Sequence, residues 1–187
     1  MSDILDRGRT LAVMMRPPAW FERNFEFTFP AEQHSLVCVR LRGTPGRLEE
    51  IVRGVPRDVL IRRPGEKWSA QEHAGHLLDL ESLWMARVDD YLEDASQLTV
   101  ADLTNRGTWE ARHNQRPLDE ILAGFRDARS RLVSRVQNID AATRARTLSH
   151  PRMKVPMRLV DHLFFVAEHD DHHLAHIWDL LSTSDRG

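Results

Sequence analysis

The sequence predicts an all-α protein in which four long amphipathic helices form one four-helix bundle. Apolar residues recur at helical spacing in four segments, residues 31–55, 69–94, 118–139 and 157–184. The fourth segment also carries five of the chain's ten histidines. At 187 residues the chain is long enough to bury a sizeable core as one domain. We therefore expect residues 31–187 to form the bundle and residues 1–30 to form an N-terminal arm.

The predicted arm has no sustained helical or strand period. Residues 4–15 could form a short helix that ends before Pro17, and residues 25–29 alternate in polarity as a short extended segment does. We expect the arm to lie on the surface of the bundle.

The apolar pattern of the first bundle helix is interrupted by Gly43, Pro45 and Gly46. Pro45 either kinks one long helix or begins a second helix with Thr44 as its cap. The positions that should face the core are Leu36, Val39, Leu48, Ile51, Val52 and Val55. Cys38 lies among them, and we expect it to be a buried core residue rather than a nucleophile.

The second helix begins at a capping box, Ser69-Ala70-Gln71-Glu72. Glu72 is then the capping acid rather than a catalyst. On the helical wheel Leu80 and Tyr91 mark the centre of the apolar face, and His76 lies about 50° from that centre. The side chain of His76 is therefore expected at the border of the core.

The fourth helix carries histidines on the border of its own core face. On a wheel that sets His162 at zero, His169 falls at about −20° and His173 at about +20°, so these two imidazoles stack one turn apart. Two imidazoles at about 6 Å between Cβ atoms suit two ligands of one metal ion. His172 points to about −80°, on the polar side, and we predict that it is not a ligand.

The composition excludes several classes of protein. A net charge of −2 and a pI near 6.6 argue against a nucleic-acid partner. No apolar run approaches the roughly 20 residues that a membrane helix needs, and the N-terminus lacks the basic start of a signal peptide. With a single cysteine no internal disulfide can form. These observations favour a cytoplasmic protein without a membrane partner.

Two motifs carry a resemblance to a known family. Trp68-Ser69-Ala70-Gln71-Glu72-His73-Ala74-Gly75-His76-Leu77-Leu78-Asp79 resembles the first motif of the DinB/YfiT-like superfamily, in which Trp-Ser is followed by Glu, by His-Leu and by an acidic residue. His169-Asp170-Asp171-His172-His173-Leu174-Ala175-His176-Ile177 resembles its C-terminal motif. The resemblance covers roughly residues 31–182 and leaves the arm outside.

The resemblance implies an up-down-down-up four-helix bundle. It implies a divalent metal, nickel or zinc, held by His76, His169 and His173, and a homodimer. It also implies a thiol S-transferase that uses a low-molecular-weight thiol such as bacillithiol or mycothiol as co-substrate, or a hydrolase of a small-molecule substrate. Nothing in these motifs implies binding to DNA.

The ligand set agrees with a catalytic metal. Three neutral imidazoles do not neutralise the charge of the ion, and they leave one coordination position open. Closed structural zinc sites instead use four ligands, usually thiolates. We therefore favour an enzyme. A non-catalytic metal- or small-ligand-binding bundle is the alternative, and an interaction protein that uses the bundle only to dimerise is a third reading, which the intact triad disfavours.

Other polar residues have more than one interpretation. His162 and His176 either line the same cavity or pack as hydrogen-bonded core residues, and His73 would replace His76 if the helical register differed. Asp79, Asp170 and Glu168 could accept hydrogen bonds from ligand imidazoles. We expect exposed or snorkelling side chains at His34, His113, His150 and Arg87, and core positions for Trp84 and Trp178. The long polar connector at residues 95–116 and the arm are expected to shape the entrance to the site.

Overall fold

A computed structural model of the chain describes residues 19–93 and 95–184. The helix predicted at residues 4–15 lies outside them. The α-helices are α1 (His34–Val52), α2 (Arg57–Leu60), α3 (Ala70–Asp79), α4 (Glu81–Leu92), α5 (Arg106–Glu110), α6 (Leu118–Val136), α7 (Ala141–Ala145) and α8 (Leu159–Ser184). Short 3-10 turns occur at Trp20–Glu22, Ala31–Gln33 and His113–Gln115, and two strands, β1 (Thr147–Ser149) and β2 (Pro156–Arg158), form a small sheet. In these described ranges, no helix has the length and apolarity needed to span a bilayer.

The directions of the long helices follow from which ends meet. The start of α1 meets the end of α6, where His34 Nε2 lies 2.9 Å from the carbonyl oxygen of Val136, so α1 and α6 are antiparallel. Arg40 on α1 pairs with Glu168 on α8, and Arg47, farther along α1, pairs with Asp171, farther along α8, so these two helices run the same way. The end of α4 meets the start of α8, where Tyr91 donates to the carbonyl of Met157. The topology is therefore up-down-down-up, as the sequence predicted.

The second long helix has a break that the sequence did not predict. It consists of α3 and α4, with Leu80 between them at φ −78° and ψ −10°. The interruption is local, because Leu80 N donates to His76 O and Trp84 N donates to Leu80 O. At its start the predicted capping box is present, with Ser69 Oγ accepting from Glu72 N and Glu72 accepting from Ser69 N.

Of the two readings of Pro45, the structure has the single helix, with Pro45 inside α1. Proline has no N–H, so the carbonyl of Leu41, four residues earlier, has no helical donor. Arg129 of α6 supplies one instead, with its Nη1 3.3 Å from Leu41 O. The hydrogen bond that Pro45 cannot make within α1 is therefore replaced by one from a side chain of α6.

The inner face of α1 agrees with the prediction at Leu48 and Val52, which are buried, but differs from it in the first half of the helix. Leu36 and Val39 are 60% and 70% exposed, whereas His34, Val37, Cys38 and Leu41 are buried. The contact of His34 with Val136 O fixes this rotation of the helix. Cys38 is buried as expected, whereas Trp178, which was assigned to the core, is 60% exposed on α8.

The predicted connectors contain short elements of their own. The connector predicted at residues 95–116 includes α5 and the 3-10 turn at His113–Gln115, and the segment between α6 and α8, residues 137–158, includes α7 and both strands. Thr147, Leu148 and Ser149 pair antiparallel with Arg158, Met157 and Pro156. Strands of three residues are too short to show an alternating pattern, which explains why the sequence did not reveal them.

A buried ion cluster joins all four long helices. Arg129 on α6 is 1% exposed and contacts the carboxylates of Glu81 on α4 and Asp170 on α8. Thr44 on α1 donates to Asp170 Oδ2 at 2.9 Å. Because every charge in the cluster has a partner of opposite sign, the cost of burying it is offset by the ion pairs and hydrogen bonds.

We predict that Arg129→Met destabilises the fold by about 3–5 kcal/mol, because two buried carboxylates lose their cation. Arg126→Met is the matched control on the same helix, since the exposed pair of Arg126 with Glu49 contributes about 1 kcal/mol or less. Urea unfolding measures both variants. Equal losses in the two would contradict the role assigned to Arg129.

Candidate metal centre

Three buried histidines converge between α3 and α8. The ligand atoms of His76, His169 and His173 all lie within 4.8 Å of one another. His169 and His173 are one turn apart on α8, and their Nε2 atoms are 3.2 Å apart. His76 reaches them from α3, which packs against α8. These are the three residues that the resemblance assigned as metal ligands.

The orientation of His76 is set by a chain of hydrogen bonds. Its Nδ1 lies 3.0 Å from Thr108 Oγ1, and Thr108 Oγ1 lies 2.9 Å from Asp79 Oδ2. An ionised carboxylate only accepts, so Thr108 donates its one proton to Asp79 and accepts from Nδ1–H of His76. Nε2 of His76 is then unprotonated, and its lone pair is available inside the cluster.

Asp79 has a second donor in His113, whose Nε2 lies 2.9 Å from Asp79 Oδ2. The ring of His113 packs on α3 at Gly75, where an added Cβ would come within 2.2 Å of the imidazole. Glycine is therefore required at position 75, and the gap it leaves lets His113 reach Asp79. Burial raises the pKa of Asp79, but hydrogen bonds from His113 and Thr108 outweigh it and hold the pKa below its usual value.

His173 is oriented by another histidine. Its Nδ1 lies 2.8 Å from Nδ1 of His73, which is on the same face of α3 as His76. Nε2 of His173 keeps its lone pair only when Nδ1–H of His173 donates and His73 accepts. The ring of His73 stacks on that of His176 at 5.3 Å between centroids. The structure thus places His73 behind a candidate ligand rather than in the cluster.

The cluster histidines are held neutral. Burial, followed by the like charge of neighbouring groups, lowers the pKa of His169 and His173 well below the ordinary value. Burial likewise lowers the pKa of His76 to about 4 and that of His73 to about 3. Neutral imidazole is the form that binds a metal ion, so no proton has to be displaced near neutral pH.

Of the three predicted carboxylate acceptors, only Asp79 serves a cluster histidine, and it does so through Thr108. Asp170 belongs to the Arg129 cluster, and Glu168 pairs with Arg23 and Arg40. Nδ1 of His169 is buried without a hydrogen-bond partner among the described residues. The sequence could not separate these roles, because the arginines that take Asp170 and Glu168 come from distant segments.

The donor set fits a divalent metal ion. Nε2 of His76 and Nε2 of His173 carry lone pairs, and Nε2 of His169 lies 3.2 Å from that of His173. Neutral imidazoles at this distance share one N–H···N hydrogen bond; with the proton of His169 on Nδ1, both Nε2 lone pairs point to the same place, as two ligands of one ion do. Three imidazoles suit zinc and nickel alike.

Several other histidines lie in places the sequence did not predict. His34, His113 and His150 were expected to face solvent, but all three are buried. His172 was placed on the polar side but is also buried, with its ring 5.5 Å from that of Trp20. Trp20 belongs to the arm, so a helical wheel of α8 alone could not predict that it covers His172.

The arm and the 95–116 connector both reach the cluster, where they were expected to shape the entrance. The ring of Trp20 lies 5.0 Å from that of His169, and the ring of Trp68 lies 4.7 Å from that of His76. Trp109 of α5 in turn packs on Trp68 at 5.8 Å. Aromatic rings therefore bound the cluster on two sides.

Comparison with known proteins gives a family and a fold. The family model of the DinB superfamily matches residues 40–177. No curated protein sequence matches the chain. Among solved structures the chain is similar to YfiT from Bacillus subtilis, with a TM-score of 0.76 and 20% sequence identity over 88% of this chain and 94% of that one. YfiT is described as a probable metal-dependent hydrolase with an unusual four-helix bundle topology.

We predict that Gly75→Ala lowers the free energy of unfolding, although alanine favours a helix by about 1 kcal/mol over glycine. The new Cβ would push His113 away from Asp79. Gly43→Ala on α1 is the control, because a Cβ there meets nothing within 4 Å, and it should stabilise the protein by roughly 0.5–1 kcal/mol. Thermal or urea unfolding decides, and a stabilised Gly75→Ala variant would disprove the packing argument.

We predict one divalent metal ion per chain. Alanine at His76, His169 or His173 should remove most of it, since two imidazoles alone make an incomplete site. His172→Gln should leave the metal content unchanged, because His172 is not among the converging ligand atoms. Elemental analysis of the purified variants tests this, and full occupancy in His169→Ala would refute the ligand assignment.

Proposed function

This chain belongs to the DinB superfamily, and from that membership and its three-histidine cluster we propose that it is a metal-dependent enzyme acting on a small molecule. The reaction we favour is transfer of a low-molecular-weight thiol to an electrophilic substrate, or hydrolysis. The observation that carries the proposal is the convergence of His76, His169 and His173 within 4.8 Å, with the lone pair of His76 fixed inward by Thr108.

A divalent ion held by three neutral imidazoles supplies Lewis acidity and lowers the pKa of a water or thiol that reaches it. The contribution of the chain itself is orientation. Thr108 and Asp79 hold His76 in one tautomer, and the contact of His73 with Nδ1 of His173 holds the ring of His173 in position. Hydrogen bonds of this kind keep ligand rings in place and raise their basicity.

The number of ligands supports a catalytic site over a structural one. Among the described residues, the group of histidine, cysteine and acidic side chains that could hold a metal comprises only these three. Cys38 packs against His34, with Sγ 3.3 Å from Nε2. A coordination position is therefore left for a reactant. The second candidate, a non-catalytic metal- or small-ligand-binding bundle, keeps the same site but lacks turnover.

The remaining expectations stay predictions. They are the choice of nickel or zinc, a bacillithiol- or mycothiol-like co-substrate, a homodimer, a cytoplasmic location and the absence of a nucleic-acid partner. The exposed Leu36 and Val39 on α1 and Trp178 on α8 are apolar side chains that a second copy would cover.

The test is turnover by metal-loaded protein. We expect conjugation of an aryl halide with a low-molecular-weight thiol, or hydrolysis of an activated ester, that ceases on chelation and returns when nickel or zinc is added. His173→Ala should reduce the rate to the metal-free background, while circular dichroism shows that the helices persist. Activity that survives without metal would refute the mechanism, and metal binding without turnover would favour the binding module.

A further inference from the structure

Arg87 is a buried cation without a counter-ion. Its side chain is 2% exposed, yet it makes no ion pair with a carboxylate in the part of the chain the structure describes. Arg129, at 1% exposed, contacts two carboxylates. Arginine is almost never buried unless it is paired. Arg87 therefore lacks the direct carboxylate partner that Arg129 has: the charge of Asp90 acts on it, but the Asp90 carboxylate accepts its hydrogen bonds from Thr99.

His150 stands beside Arg87 as a second donor. His150 Nδ1 accepts from the backbone N–H groups of Arg152 and Met153, at 3.3 and 3.2 Å. Nε2 of His150 lies 3.4 Å from Nη1 of Arg87. A neutral imidazole has one N–H and one acceptor nitrogen, so it accepts either from these two backbone groups or from Arg87, but not from both. In each tautomer an N–H donor at His150 is left without an acceptor.

The other groups around His150 add positive charge. Burial, followed by the charges of Arg87 and Arg152, lowers the pKa of His150 to about 4. The guanidinium of Arg152 lies 5.0 Å from the ring centroid of Phe21 and makes no ion pair with a described carboxylate. Nε of Arg87 donates to the carbonyl of Thr99 at 2.9 Å, which fixes the direction of the guanidinium.

This group of donors is connected to the histidine cluster through Trp84. The Trp84 ring lies 5.6 Å from the guanidinium carbon of Arg87 and 5.5 Å from the ring of His169. Four buried polar atoms along this path have no hydrogen-bond partner among the described residues, namely Trp84 Nε1, both ring nitrogens of His162 and Nδ1 of His169. Such atoms require an explanation, and a polar molecule beside the Trp84 ring would provide one.

We propose that Arg87 and His150 bind an anionic oxygen group, a carboxylate or a phosphate, on the small molecule whose reacting end lies at the three-histidine cluster. This inference rests on the proposed function and names its substrate class as small organic acids or phosphate esters. The anion accepts from Nη1 of Arg87 and Nε2 of His150, which supplies the acceptor that these two donors lack. Charge-assisted bonds of this kind are the strong ones in a site shielded from water.

The test is a calorimetric titration of metal-loaded full-length protein with succinate, with inorganic phosphate and with neutral succinamide. We expect succinate or phosphate to bind and succinamide not to bind. Binding of succinate alone assigns a carboxylate subsite, and binding of phosphate alone assigns a phosphate subsite. Absence of binding by both anions overturns the proposal.

Variants separate this subsite from direct binding at the metal. Arg87→Gln should weaken anion binding by about tenfold or more, whereas Arg126→Gln, which removes the same charge from the surface, should leave it unchanged. If Arg87→Gln does not fold, His150→Phe keeps a planar aromatic ring, removes the Nε2 donor and should also weaken binding. Unchanged affinity in the folded Arg87 or His150 variant overturns the proposal.

Metal content, measured on the same samples, separates this inference from the proposed function. Protein that binds the anion through Arg87 but holds no metal refutes the metal enzyme and leaves the anion subsite standing. Metal-loaded protein whose anion affinity does not depend on Arg87 refutes the subsite and leaves the metal enzyme standing.

Discussion

The structure depends on one buried cation. Arg129 of α6 contacts Glu81 of α4, Asp170 of α8 and the carbonyl of Leu41 on α1, so a single guanidinium holds all four long helices. One of these partners can be explained from the sequence, because Pro45 leaves Leu41 O without a helical donor. Another, Asp170, directly follows His169 in the chain. The histidine cluster depends on how α3–α4 and α8 are placed relative to each other. Arg129 fixes this placement at Asp170, the residue next to His169 of the cluster.

The sequence correctly predicted the features that depend on a regular pattern or a local motif within one helix. Apolar periodicity gave the four long segments, the capping box gave the start of α3, and the two motifs gave His76, His169 and His173. The inner face of α1 was predicted correctly at Leu48 and Val52 but not in the first half of the helix, where His34 takes an inner position that hydropathy assigns to solvent. Periodicity describes a helix in isolation, whereas the face that it buries is chosen by its neighbours.

The parts that were missed lie on connectors. Thr108, His113 and His150 orient or extend the site, yet each comes from a segment without a period, and only tertiary contacts place it. Arg87 was expected to reach solvent, but the segments at Thr99 and His150 cover it. One local signal did exist: Gly75 in the middle of α3 costs helix stability, and such a glycine usually has a packing reason. Here that reason is the ring of His113.

The three imidazoles of the cluster are supported in three different ways. His76 is backed by a carboxylate through a hydroxyl, His173 by a second imidazole, and His169 by no described hydrogen-bond partner. An acceptor behind a ring pushes electron density towards the opposite nitrogen, and an anion does so more strongly than a neutral group. The cluster is therefore unevenly supported: only His76 is coupled to a carboxylate, and the ring of His169, which lies against Trp20 and Trp84, has no described acceptor behind it.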